Sequence, residues 1–199
     1  MIKKLQGPSE GLSTLGRALS DLRAHTPALG RMFRAQAQPQ ITQPLQVFLL
    51  QLDDIVDENF PERAKPVGWR YLILDPDSVA AADVGLEGDV FHRLMHGRHA
   101  ERLLNATRFA GDKFAKDPDD YDLRILEIPS LYVAALWLQG PKDIFVPFAD
   151  AALENVDPTA QFAARVDESF TQRILKQADL KREDLKRGTP PDKKGQARN

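Results

Sequence analysis

The stretch DLRILEIPSLYVAALWLQGPKDIFVPF, residues Asp122–Phe148, decides the fold. Leu123, Ile125 and Ile128 alternate with Arg124 and Glu127, the period of a strand with one face turned to a core. Pro129–Ser130 breaks that run. LYVAALWL, residues 131–138, follows with no polar alternation, so the next element is covered on both faces. Gln139 to Asp143 forms a turn in which Gly140 is expected to take a positive φ and Pro141 fixes the next residue. Ile144 to Phe148 then forms another short strand.

Working outward, VGWRYLIL at 67–74, the turn Asp75–Ser78 and residues 79–84 read as strand, turn and returning strand. Leu45 to Leu50 fits a strand or a helix by spacing, and its branched and aromatic content favours the strand. Residues 89–95 have no decisive pattern. Residues 100–116, AERLLNATRFAGDKFAK, place Leu103, Ala106, Ala110 and Phe114 on one helical face, and Asp117–Asp120 stops them. Phe162, Val166, Phe170 and Ile174 recur every four residues and predict a long helix over 159–186. Near the start, Leu12, Leu15, Leu19 and Leu22 form a leucine stripe that Pro27 ends, with a further short helix over 28–37.

These elements predict an α+β fold: a mixed or mainly antiparallel sheet, with strands near 45–50, 67–74, 79–84, 123–128, 131–137 and 144–148. The sheet packs against two long helices and carries an N-terminal helical arm. The expected organisation is an arm over 1–40, a single domain over 41–186 and a basic tail over 187–199. A doubly wound parallel sheet fits less well, because strands and helices do not alternate. A weak echo lays Arg70–Val84 over Arg124–Leu138, with five identities including Arg70/Arg124 and Val79/Val133. It predicts two similar strand–turn–strand units or, more simply, shared strand composition.

The formal charge of −2 hides an acidic middle between two basic ends: residues 1–40 carry six Lys/Arg against two acids, and residues 176–199 eight against four. An acidic body argues against a nucleic-acid groove in the folded part. The absence of cysteine excludes thiol nucleophiles and cysteine-ligated metals. No apolar run is long enough to span a bilayer and the opening residues lack a secretory apolar segment, so no membrane partner and a cytoplasmic location are expected.

Chemical signatures are sparse. Asp89, His92, His96 and His99 fall at steps of three, four and three, so one unbroken helix would align them for a divalent metal. Gly97 interrupts the run, and the glutamate of a metalloprotease motif is missing. Trp69, Tyr71, Tyr132 and Trp137 could line a pocket, with Arg70 and Arg124 as donors for the carboxylate or phosphate of an anionic small molecule; core aromatics beside solvent-facing arginines are the plainer reading. The carboxylates Asp53, Asp54, Asp57 and Glu58 read as a solvated turn, and Ser130 lacks a nucleophile elbow. With no convergent reactive set and no cofactor motif, the sequence points to a non-enzymatic interaction or assembly protein with a protein partner or self-association. The alternatives are an anionic-ligand binding domain and a metal-dependent hydrolase.

Overall fold

The computed structural model describes residues 1–25, 39–76, 78–150 and 169–188. Among these residues nine strands form one mixed sheet: β1 (Ile2–Lys4), β2 (Gln40–Ile41), β3 (Leu45–Leu49), β4 (Lys65–Asp75), β5 (Ser78–Val84), β6 (Phe91–His96), β7 (Tyr121–Ile128), β8 (Val133–Gln139) and β9 (Ile144–Ala149). Among the described residues three helices accompany it: α1 (Gly11–His25), α2 (Arg98–Lys113) and α3 (Ser169–Gly188). The chain is therefore α+β. The short helix expected over 28–37, residues 159–168 of the expected C-terminal helix and the tail beyond Gly188 lie outside the described residues.

The path β6-β5-β4-β3-β7-β8-β9 is antiparallel except where β3 runs parallel to β7. β1 also runs parallel to β7, so the opening residues are woven into the sheet rather than standing apart as an arm. The middle of the sheet forks. β3 pairs with β4 on one side and with β7 from Arg124 to Glu127 on the other. Further along, β2 stays with β4 at Ile73–Leu74 while β1 pairs with β7 at Tyr121–Leu123.

Alternation along the strands gives the sheet two apolar faces. On one, Leu45, Val47, Leu72, Leu123, Ile125 and Leu136 pack under the Ala100, Leu103, Ala106 and Ala110 stripe of α2. The other face carries two clusters. Trp69, Tyr71, Ile73 and Val84 lie under Leu15 and Leu19 of α1, whereas Phe48, Leu126, Trp137 and Phe145 lie under Phe170, Ile174 and Ala178 of α3. Phe145 stacks on Phe170 at 4.7 Å between ring centroids and on Trp137 at 6.0 Å. Burying each such aromatic is worth roughly 1.5–3 kcal/mol, which anchors α3. The leucine stripe of α1 is only half used, since Leu12 is exposed and Leu22 half-buried.

Two local expectations change, and the stretch 89–99, which had no decisive pattern, takes a definite form. Residues 89–99 are not a helix: Phe91–His96 is an edge strand, Gly97 turns the chain at φ 75°, and α2 begins at Arg98. That turn needs a backbone conformation natural only to glycine. Leu131 belongs to a 3-10 turn (Pro129–Leu131), and the following strand starts at Val133. Gly140 does not adopt positive φ. It is glycine because an added Cβ would lie 2.6 Å from the Tyr121 ring and 2.9 Å from the Asp120 carbonyl oxygen.

The weak sequence echo coincides with two hairpins of equal register: Arg70 pairs with Asp83 in β4–β5, and Arg124 with Trp137 in β7–β8. Their environments differ, because Leu72 faces α2 whereas its counterpart Leu126 faces α3.

Candidate functional site

Trp69, Arg70, Arg124 and Trp137, from the set proposed to surround an anion, divide between the two sheet faces. Trp69 packs under α1 and donates its Nε1–H to the Leu86 carbonyl at 3.0 Å. Arg124 and Trp137 do meet: the guanidinium lies 5.5 Å from the Trp137 ring and 4.9 Å from that of Phe48, two rings that are themselves edge-to-face, and it contacts Asp122 at 3.3 Å.

Arg70 points the other way, toward α2, with none of its side chain exposed. Its Nε and Nη2 bind both oxygens of Asp83 at 2.6 and 2.8 Å, and Nη2 also reaches Glu127 at 2.6 Å. From the edge strand, half-exposed Arg93 binds Asp83 at 2.8 Å and Glu127 at 3.2 Å. Two guanidiniums and two carboxylates thus close a neutral ring across β4, β5, β6 and β7. Burial pushes the Asp83 carboxyl up, but hydrogen bonding to and the charge of Arg70, then those of Arg93, outweigh it and hold it below the usual carboxylate range. Arg70 is neither solvent-facing nor available to a ligand along these edges; it is spent on holding the strands. Its Nη1 is buried without a partner.

The histidines are equally dispersed. His92 and His96 are exposed on β6, whereas His99 sits in the first turn of α2 with its ring edge-on to Phe148 at 5.3 Å. Burial, then the charge of Arg70, holds the His99 imidazole below its ordinary value. Among the described residues no three His, Asp or Glu side chains gather to hold a metal ion. The expected acidic turn forms, and Asp57 pairs with Arg63 through both oxygens at 2.9 and 2.6 Å. Ser130 Oγ is buried without a partner.

What the sequence did not single out is the end of the sheet where β3 and β7 finish. Here β4, β6 and β8 begin and β5 ends, so the loops 50–64, 85–90 and 129–132 sit together. Among the described residues nine large apolar side chains are exposed, and five of them, Val56, Val67, Leu86, Val90 and Tyr132, belong to this end. Tyr132 is 77% exposed and sits at φ 55°, ψ 36°. That left-handed conformation costs a bulky residue roughly 1–2 kcal/mol. The loops at this end, residues 50–66 and 85–90, supply seven carboxylates, Asp53, Asp54, Asp57, Glu58, Glu62, Glu87 and Asp89, against Arg63 and Lys65, and Arg182 of α3 binds the Leu52 and Ile55 carbonyls. Exposed apolar residues in a loop cannot be told from core residues in a list of letters; Tyr132 alone carried a signal, following a Pro–Ser–Leu turn. No described helix is long and apolar enough to cross a membrane. Comparison with family models, curated proteins and solved structures finds no match to this chain.

Proposed function

We propose that the protein is a non-enzymatic interaction module that docks a protein segment at the end of the sheet where β3 and β7 finish. The supporting observation is the concentration there of Val56, Val67, Leu86, Val90 and Tyr132, exposed and rimmed by carboxylates. Apolar side chains beside an excess of negative charge favour a partner of the opposite sign, with a few apolar anchors set among Lys and Arg. A strained, exposed tyrosine is a costly choice in the free protein and a good anchor in a complex, because it brings large area with few rotatable bonds.

The test uses fluorescence polarisation of labelled peptides with Leu and Phe anchors spaced among Lys/Arg, against the same anchors spaced among Glu. The full chain is expected to bind the basic peptide at least tenfold more tightly, with affinity falling as salt rises. Tyr132→Asn should weaken binding tenfold or more while raising stability by about 1 kcal/mol, since asparagine tolerates the left-handed conformation. Native mass spectrometry in the same buffer detects self-association, the other form of docking. A monomer that binds neither peptide, or a Tyr132→Asn protein that binds as well as the parent, sinks the reading.

A further inference from the structure

The fork in the sheet leaves a cleft of about 440 Å³ between the strands and α2, within the range of small-molecule sites. Where β2 follows β4 and β1 follows β7, no strand fills the space between them, and Thr42 and Gln43 bridge it. Leu45, Leu72 and Leu123 line the cleft from the sheet. From α2 come Leu104, Thr107, Arg108 and Gly111, spaced three and four apart along one stripe of the helix.

Among the described residues the lining contains no carboxylate. Among these residues it contains two cationic groups: the Met1 ammonium pairs with Asp120 at 3.3 Å, while the exposed Arg108 forms no ion pair or hydrogen bond there. Gly111 adds a second observation. A glycine inside a helix costs stability relative to alanine, and an added Cβ here would meet nothing within 4 Å. Packing therefore does not require glycine at this position, which is exposed and borders the cleft.

We infer that this cleft binds an amphipathic monoanion, a medium-chain carboxylate, with its hydrocarbon among Leu45, Leu72, Leu104 and Leu123 and its carboxylate on Arg108. A guanidinium grips both carboxylate oxygens at once, and the leucines remove the chain from water. The site lies on the α2 face, at the opposite end of the strands from the apolar loops, and its success or failure is independent of the docking reading.

The experiment is isothermal titration of the full chain with decanoate kept below its micellar concentration, and with decan-1-ol as the uncharged probe. Saturable binding of one decanoate, at least tenfold tighter than decan-1-ol, is expected. Arg108→Gln should abolish that preference while leaving the alcohol's affinity within twofold. Gly111→Phe should abolish binding of both probes without lowering the melting temperature. Equal affinity for acid and alcohol, or a preference that survives Arg108→Gln, overturns the proposal. So does the absence of saturable heat in the folded parent protein, as expected if another protein segment or a second copy fills the cleft.

Discussion

Replacing Arg70 by methionine tests whether the ionic ring beneath α2 is a structural unit. The substitution keeps an unbranched chain and removes three charge-assisted bonds of 2.6–2.8 Å from a side chain with no exposure. Breaking a buried pair by deleting one partner costs about 3–5 kcal/mol, chiefly because the other charge stays buried. Asp83 is 10% and Glu127 16% exposed, and Arg93 still reaches both, so the lower end applies. The expected loss is about 3 kcal/mol, or about 6–12 °C in Tm for a chain of this size. Arg70→Met/Asp83→Leu removes the stranded charge and leaves Arg93 to Glu127, so it should recover at least half of that loss. Urea denaturation of the parent, both single variants and the double variant completes the cycle, with an expected coupling of about 1.5 kcal/mol or more. The acid side supplies an independent readout. The depressed Asp83 carboxyl stabilises the fold fully above its unfolded value of about 3.9, and that contribution is lost as pH falls through the lower native value. Without Arg70, burial is less opposed and the acid loss begins at a higher pH. A single variant costing under about 1 kcal/mol, or losses that simply add, would refute the reasoning.

His99 gives the opposite protonation case. Its imidazole is held below its ordinary value of about 6.5, so the unfolded chain takes up the proton first and stability falls as pH drops from about 6.5 toward the native value. His99→Leu should flatten the stability–pH curve over that window, measured by urea midpoints; an unchanged slope counts against a buried neutral imidazole. Gly140→Ala tests the turn: with the Tyr121 ring 2.6 Å and the Asp120 carbonyl 2.9 Å from the new methyl, it should destabilise by about 1–3 kcal/mol. Thermal unfolding reads the loss, and a neutral result would mean that the ring moves aside freely.

The parts of the fold legible in the sequence are those governed by neighbours. Period-two alternation places Leu123, Ile125 and Ile128, and the spacing of Leu103, Ala106 and Ala110 places the α2 face, because each pattern is set within a few residues. The histidine run shows where such reasoning breaks. Steps of three and four suit a helix, yet β5 offers an unpaired edge, and pairing Ala80–Asp83 with Arg93–His96 outweighs the local preference until Gly97 releases the chain. The short β1 carries no signal of its own; it is a strand because β7 presents an unpaired stretch at Tyr121–Leu123.

The candidate sites were hidden for the same reason at longer range. Arg70 and Glu127 stand 57 residues apart and meet only because β3 fits between their strands with a fixed register. Each sheet face depends on that register, since a slip of one residue would turn Arg70 toward α1 and Trp69 toward α2. The ring of charges therefore penalises the slipped arrangement: it would carry a guanidinium away from Asp83 and Glu127 and under the apolar Leu15 and Leu19 of α1. A correct register is also what places the loop ends of β4, β5 and β7 side by side at one end and opens the fork at the other. The buried network is thus tied to both proposed binding regions without lining either, and a variant that weakens it should disturb them through register rather than through contact.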